Sequence, residues 1–502
     1  MVLRKLHLKK ILLLFVFCAG VSFGTTAQRI LTIDLALDLA EEFNPEMRTT
    51  KLTLEGTQFT LQAQLIGLKP NFSMTVNPFG YSQTRSFENR LSQWFTNTRT
   101  TTNTVLTAAV PFLPTDAQIR LTNTFGWADN RSTLVDGSTN INKAFSNNLS
   151  LRIDQPLFTY NRLQTRLKTL TLDYENAGIS YALARLRLES NITGQFYSVI
   201  LAENQLEISR DALKNEGNNY EIIKYKVEAD MSPKEELYQA EVNLATAQST
   251  VERNTVSLNY LYDQLKQTLG MPLKEEINVT ANIDDIHPLV VDLDQAVQYA
   301  MASRMELRRR EMTMERAEID MLAVKATNEF SGNVSLALGV MGDNTRFANI
   351  YEKPTNSPSV QISLSIPIFD WGQRKARIRA QQTNQTIAQL AYDEEVVSIE
   401  LAIRQTLRQM ENNLTQIAIN EKTVENSQRQ YELQQVRYRE GELTGLQMSQ
   451  YQDQLSNSRI SLARQKVEYK NTLLSLKIAT LYDYEKDAPV LPVKELSSLT
   501  TK

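Results

Sequence analysis

The sequence contains little of what metal and thiol chemistry requires. Its 502 residues include one cysteine and two histidines, too few for a His/Cys metal cluster or a Cys–His catalytic pair. The formal net charge of −3 leaves no basic excess, which argues against a nucleic-acid partner. No phosphate-binding glycine loop or His-centred constellation is present. We therefore predict a protein that is not an enzyme and that uses no cofactor or metal.

Residues 1–27 predict a secretory signal. An apolar run over 11–17 follows four cations, and small residues end at Ala27. The run is shorter than the roughly 20 residues of a membrane-spanning helix, and bulky Phe17 disfavours a lipoprotein anchored at Cys18. Cleavage after Ala27 would remove four cations and no acid, which changes the charge from −3 to −7 and leaves no cysteine. The four cations are Arg4, Lys5, Lys9 and Lys10.

The rest of the chain repeats one plan. The segment 33–48 returns at 293–308 with matched Asp, Ala, Ala, Glu and Arg residues. The Gln-Pro-Leu-Phe corner at 155–158 likewise returns as Ile-Pro-Ile-Phe at 366–369. Because internal repeats decide an architecture, we predict two structural repeats joined by a linker and followed by a disordered tail. Their ranges are 28–270 for the first repeat, 271–291 for the linker, 292–485 for the second repeat and 486–502 for the tail.

Each repeat combines one very long helix with two shorter ones. Segments 160–228 and 371–440 contain no proline, and about 70 residues at 1.5 Å rise predict a rod of about 105 Å. The shorter helices in each repeat add up to one more rod of that length, so one chain supplies four rods. A soluble coiled coil would explain the 3–4 apolar spacing equally well. The shorter helices are predicted at 33–66, 233–269, 293–327 and 446–482.

Between the helices the apolar period changes from 3.5 to 2. Strands are predicted over 70–158 and as a hairpin over 330–369; Phe72, Met74 and Val76, for example, alternate with polar residues. This alternation is typical of a membrane barrel, although a half-buried sheet on a soluble core alternates in the same way. No long apolar stretch follows residue 28, so any membrane contact must come from these strands.

Closure of the sheet decides between the two readings. Four to six strands are fewer than the roughly eight that close a barrel, and an open edge is excluded in lipid. Three chains of four strands and four rods each give a twelve-strand barrel and twelve rods. We therefore predict an α+β membrane protein with an internal twofold repeat, in which three protomers share an antiparallel β-barrel continued by a long α-helical coiled-coil barrel.

The first strand region is longer than one hairpin requires. The segments 105–112 and 117–127 predict an additional hairpin around 111–116. Either the barrel exceeds twelve strands or this hairpin lies outside it, and we favour the second possibility.

The order of these pieces resembles the TolC family of outer-membrane efflux and type I secretion factors over residues 30–485. The resemblance rests on the alanine-spaced opening that ends at Asn44-Pro45-Glu46, its second copy, the two strand-to-helix corners and the turn at 437–444. It implies a homotrimer in the outer membrane that extends into the periplasm as a passive exit duct. Its implied partners are outer-membrane lipid, a periplasmic adaptor (membrane-fusion) protein and an inner-membrane transporter.

The same resemblance assigns candidate site residues at the two helical turns. Relatives often carry acidic rings at the positions of Gln447 and Gln450, where this chain keeps polarity but no charge. The residues of the first turn themselves predict a capping box: Ser232 is the N-cap, Pro233 opens the helix and Glu235 lies three residues after Ser232. The candidates for the tunnel-mouth constriction are Tyr438, Gln447, Gln450 and Asp453. The candidates for adaptor docking are Ala229, Asp230, Met231, Ser232, Gly441, Glu442, Leu443 and Thr444.

A second hypothesis is an exported structural or adhesive coiled-coil protein with a β-rich head. It explains the signal and the helical spacing, but it gives no reason for a twofold repeat with equal rod lengths. Recovery of a trimer from the outer membrane favours the duct, whereas a soluble periplasmic monomer favours the alternative.

Overall fold

The structure is a computed structural model that describes residues 29–89, 92–134, 136–280, 283–440 and 442–490. The predicted signal at 1–27 lies outside the described residues. The chain divides into two compact units. The first comprises Met1–Lys51, Ser180–Met305 and Val396–Lys502, and the second comprises Leu52–Ile179 and Glu306–Glu395.

Helices account for most of the described chain. In chain order they are α1 Ile33–Phe43, α2 Pro45–Gly67, α3 Arg162–Glu228, α4 Lys234–Leu269, α5 Leu293–Ser303, α6 Met305–Ala326, α7 Gln373–Arg439 and α8 Gly445–Thr480. Both long helices have 67 residues, and both returning helices, α4 and α8, have 36. None of the helices in the described ranges is long and apolar enough to cross a bilayer.

The twofold repeat extends to the joints between short helices. α1 ends at Asn44, whose side-chain amide Nδ2 donates to the carbonyl of Thr268, 2.7 Å away, at the end of α4. α5 ends at Arg304, whose Nη1 donates to the carbonyl of Ala479, 3.2 Å away, at the end of α8. Helix ends leave carbonyls without partners, so each joint satisfies one such carbonyl with a side chain of the repeat's first helix.

The first unit has an apolar core at its centre. A short parallel pair joins β1 (Arg29–Leu31) to β6 (Ile277–Val279), and a second two-stranded pair joins β10 (Tyr482–Asp483) to β11 (Ala488–Pro489). The strand β11 falls inside the segment 486–502 that the sequence predicts as disordered. The fully buried members of the core include Leu31, Met47, Ile192, Phe196, Val199, Leu265 and Leu269.

The second unit contains one antiparallel sheet of long strands. The strands are β2 Asn71–Glu88, β3 Gln93–Phe112, β4 Ala117–Leu134, β5 Thr139–Leu157, β7 Ser331–Asn344, β8 Thr355–Asn356 and β9 Ser359–Ser365. Their order is β2-β3-β4-β5-β7, and β7 then pairs with both β8 and β9.

The additional hairpin predicted near 111–116 is part of this sheet. The strands β3 and β4 pair from Phe95↔Leu134 to Phe112↔Ala117, and each also pairs with an outer neighbour. The hairpin is therefore a continuous part of the sheet in this chain and not a separate element. The stretch 96–104 is rich in Thr and Asn, and its lack of apolar residues hid a strand that continues the alternation.

Candidate functional site

The first turn joins α3 to α4 through residues 229–233. The Met231 amide donates to the Lys226 carbonyl over 2.7 Å, and the Asp230 amide donates to the Val227 carbonyl over 3.1 Å. Between them Asp230 has φ 53°, the left-handed conformation that ends many helices and that Asp tolerates better than most residues. The helix therefore ends with its last carbonyls satisfied.

The start of α4 lacks the capping box that the sequence predicts. The helix begins at Lys234, so Pro233 is the N-cap and has no side chain that can accept a bond. The Ser232 hydroxyl, one residue too early, donates instead to the Glu236 carboxylate over 2.9 Å. The predicted pairing of Ser232 with Glu235 is therefore wrong, because the proline shifts the cap by one position.

This first turn presents its side chains to the surroundings. Ala229 and Asp230 are exposed. Three large side chains near them are also exposed: Met231 at 73%, Tyr225 at 72% and Tyr238 at 61%. The surface combines carboxylates, Asp230 among them, with three apolar or aromatic groups, a composition suited to contact with another helix.

The second turn joins α7 to α8 and is closed by side-chain hydrogen bonds. Thr444 caps α8: its Oγ1 accepts from the Gln447 amide at 3.3 Å, and its own amide donates to Gln447 Oε1 at 3.0 Å. Glu442 accepts from Arg437 Nε over 3.0 Å. Leu443 is half-buried, and Gly441 lies outside the described residues. The Gln447 side chain, a constriction candidate, is therefore bonded to the helix cap.

Tyr438 is buried next to this turn with only 5% of its surface exposed. The ammonium of Lys226 lies 5.4 Å from the centre of its ring, a cation–π distance. Its hydroxyl has no hydrogen-bond partner among the described residues. Burial, followed by the charges of Glu236 and Glu216, raises the pKa of Tyr438 to about 12. The ring thus packs α3 against α7 while its hydroxyl remains unsatisfied.

A polar cavity of about 250 Å³ lies between α3, α4 and α8. Asp453, the fourth constriction candidate, lines it together with Glu216, Asn243, Thr250, Ser449 and Gln452. Partial removal from water raises the pKa of the Asp453 carboxyl. Gln450 is exposed and does not line this cavity.

Glu216 is the residue of this region that the sequence predictions missed. It is 7% exposed, and its burial raises the pKa of its carboxyl. Hydrogen bonds from Ser449 and Asn219 act in the opposite direction, and the charge of Asp453 adds to the increase. Glu216 follows the 3–4 spacing of the buried residues Ser209, Asn219 and Ile223, but this stripe is mostly polar, so a search for apolar periodicity does not identify it.

Glu216 lies between two of the constriction candidates, Asp453 and Tyr438. It also lines a second cavity of about 110 Å³ between α3, α7 and α8, together with Tyr438, Tyr431 and Gln452. Gln452 is buried, and its Oε1 accepts from Asn215 Nδ2 over 3.0 Å. The structure therefore places Tyr438 and Asp453 around one buried carboxylate, whereas Gln447 and Gln450 lie on the exposed side of α8. In the described residues no group of three or more His, Cys, Asp and Glu side chains could hold a metal ion.

The chain is similar to known outer-membrane efflux proteins. Residues 293–480 match the family described as "Outer membrane efflux protein". The chain is 21% identical over 287 residues to the cation efflux system protein CusC of Escherichia coli K12, covering 56% of this chain and 61% of CusC. It is 22% identical over 228 residues to the probable outer membrane lipoprotein SilC of Salmonella typhimurium, covering 44% and 49%. The chain thus matches about half to three fifths of the length of these curated relatives.

The fold is shared with solved outer-membrane channels. Superposition on the CmeC outer membrane channel of Campylobacter jejuni gives a TM-score of 0.69 at 12% identity, over 96% of this chain and 93% of CmeC. At that identity the likeness concerns the fold: long helical pairs and an antiparallel sheet in a twofold repeat.

Proposed function

We propose that the chain belongs to the outer membrane efflux protein family, whose description matches residues 293–480, and that it is one subunit of a homotrimeric channel in the outer membrane. The channel extends into the periplasm and acts as a passive exit duct for efflux or type I secretion. A periplasmic adaptor and an inner-membrane transporter complete the system, since no energy-converting motif is present in this sequence.

One observation carries this proposal: the sheet is open at both edges and apolar on one face. Among the described residues, β2 pairs only with β3, and β9 pairs only with β7. The apolar face includes exposed side chains on both edge strands, such as Phe72 at 79%, Val360 at 70% and Ile362 at 64%. Unpaired edges of this length invite pairing with another chain, and an apolar face around them suits lipid.

Edge pairing between copies can be tested with cysteines on the polar side of the two edge strands. In a Cys18→Ser background, Thr75→Cys in β2 is combined in turn with Ser359→Cys, Gln361→Cys and Ser363→Cys in β9. We expect at least one combination to give disulfide-linked dimers and trimers in outer-membrane fractions. Thr122→Cys in the central strand β4, combined with the same β9 positions, is the matched control and should remain monomeric. A protein found as a soluble periplasmic monomer would instead support the structural or adhesive alternative.

We propose that the two turns dock the adaptor, in agreement with the exposed side chains at the first turn. Charge reversal by Asp230→Lys should weaken co-purification of the adaptor and leave trimer formation unchanged. Equal loss of adaptor and trimer would assign the turn a structural role only.

A further inference from the structure

In the described residues the sheet contains six strands of seven or more residues. Two of them, β3 and β4, form a hairpin in the interior of the sheet. The pairing β2–β3 runs from Asn71↔Ala109 to Glu88↔Gln93, and the pairing β4–β5 runs from Gln118↔Asp154 to Thr133↔Thr139. Strands paired on both sides along nearly their whole length belong to the wall of the sheet and are not an appendage to it.

The faces of the hairpin match the faces of its neighbours. One cross-strand row reads Phe72, Ala108, Leu121, Leu151 and Leu338. The adjacent row, which points to the other face, reads Ser73, Thr107, Thr122, Ser150 and Gly339. Because side chains alternate between faces along a strand, β3 and β4 continue both the apolar face and the polar face in these two rows.

The turn between β3 and β4 is bonded to the end of β5 and to the start of α3. Asn161 Nδ2 donates to the Leu113 carbonyl over 2.6 Å, and Gln155 Nε2 donates to the Thr115 carbonyl over 2.8 Å. Arg162 Nε donates to Asp116 Oδ2 over 3.0 Å, and Asp116 is itself buried. These bonds hold the hairpin at the corner where the sheet continues into the helix.

We propose that three copies of this chain close a barrel of eighteen strands, with β2 of one copy paired to β9 of the next. This inference rests on the proposed function. At a strand spacing of about 4.8 Å and a tilt of about 40°, eighteen strands give a backbone radius of roughly 18 Å, against roughly 12 Å for twelve strands. Barrels of that strand number leave an aqueous channel.

The lumen of this barrel is wide and polar. The polar rows of the sheet are rich in Ser, Thr and Asn, and they also carry charges of both signs, among them Arg120, Arg152 and Asp154. After side chains are subtracted, a lumen roughly 25 Å across remains, which accommodates a helical hairpin, because each helix is 10–12 Å wide. A lumen of that width is large enough for hydrophilic polypeptides, so the barrel itself would not restrict the cargo to small molecules.

The test is a strand count on two proteins reconstituted in lipid nanodiscs and imaged by electron cryomicroscopy. The first is the full chain. The second lacks residues 93–134, which removes β3 and β4 and joins β2 directly to β5. Since Phe72 and Leu151 lie in the same apolar row, the shortened chain keeps the faces and the antiparallel direction of the remaining strands.

We expect eighteen wall strands in the full-length trimer and twelve in the shortened one, with barrel radii in a ratio of about 1.5. A full-length trimer with twelve wall strands, its β3–β4 hairpin inside the lumen or outside the wall, overturns the eighteen-strand barrel and leaves the proposed function intact. Absence of any membrane-embedded oligomer overturns both. If the shortened chain does not assemble, the strand count of the full-length trimer decides alone.

Discussion

The two helical turns differ in how they are held together, although the repeat makes them equivalent. The first turn relies on its backbone: Asp230 takes a left-handed conformation, and Pro233 begins α4 without a capping side chain. The second turn relies on side chains, through the capping box of Thr444 and Gln447 and the buried ring of Tyr438. Equivalent positions in a repeated fold can therefore be stable for different reasons.

The largest expected effect is at Tyr438. Tyr438→Ala removes a buried aromatic ring, at a cost of about 3 kcal/mol or more, or at least a hundredfold in the local opening constant. Hydrogen exchange of peptides covering 430–452, followed by mass spectrometry, should accelerate accordingly. Tyr225→Ala is the matched control at the first turn. Because the Tyr225 side chain is exposed, this variant should change the hydrogen exchange of α3 little. Similar acceleration in both variants would erase the difference between the turns.

The next effect concerns the carboxylate that lies near the second turn. Because burial raises the pKa of Glu216, its ionised form disfavours the folded state, and acidification through the folded pKa stabilises this region. Glu216→Gln should therefore stabilise the region at neutral pH, with a gain that shrinks on acidification and disappears below the usual value of 4.5. Asp453, Tyr431 and Tyr438, which interact electrostatically with Glu216, are unchanged in this variant.

This prediction is tested by thermal unfolding of the variant and the parent from about pH 4 to about pH 8, a range that includes the usual pKa of a carboxyl group. Glu235→Gln, at an exposed position on α4, is the control. A gain that is the same at every pH would contradict the assignment of the effect to the Glu216 charge.

A smaller effect separates the two helix starts. Thr444→Ala removes the N-cap of α8 and should cost about 1 kcal/mol, seen as roughly fivefold faster exchange of the first amides of α8. Ser232→Ala at the first turn should change the free energy of opening at the start of α4 by less than about 0.5 kcal/mol, because the Ser232 hydroxyl donates to the Glu236 carboxylate and does not cap the helix. Equal costs at both turns would show that Ser232 acts as a cap after all.

The smallest expected effect is at Asp230. Asp230→Gly relieves the left-handed conformation of a residue that carries a Cβ, and it should stabilise the first turn by up to about 1 kcal/mol. Slower exchange of amides 229–233 is the measurement. Asp230→Val, which strains the same conformation further, should have the opposite sign.

The fold class was predictable from the sequence, and the comparison with solved channels confirms it. The family that the sequence resembles is also the one whose description matches residues 293–480. Long proline-free segments and a repeat with matched helix lengths are local signals, and they survive in α3 and α7. The strand β3 was partly missed because Thr and Asn alternate with few apolar residues there, and only its pairing with two neighbours reveals it.

The site was less predictable, because its properties depend on several helices at once. Tyr438 was named from a resemblance, yet its surroundings come from other helices, namely Lys226 of α3 and the start of α8 at Gly445. Glu216 was missed because a carboxylate on α3 becomes buried only when α7 and α8 pack around it. The cap at Ser232 failed for a local reason, since a proline moved the helix start by one residue.

The unequal strand content of the two repeats has a consequence for symmetry. A ring assembled from identical half-chains would repeat six times around its axis. In this chain a four-stranded sector from the first repeat is followed by a two-stranded sector from the second, β7 and β9. In the proposed trimer the wall would therefore repeat only three times around its axis, and any contact with its rim would be available at three equivalent places rather than six.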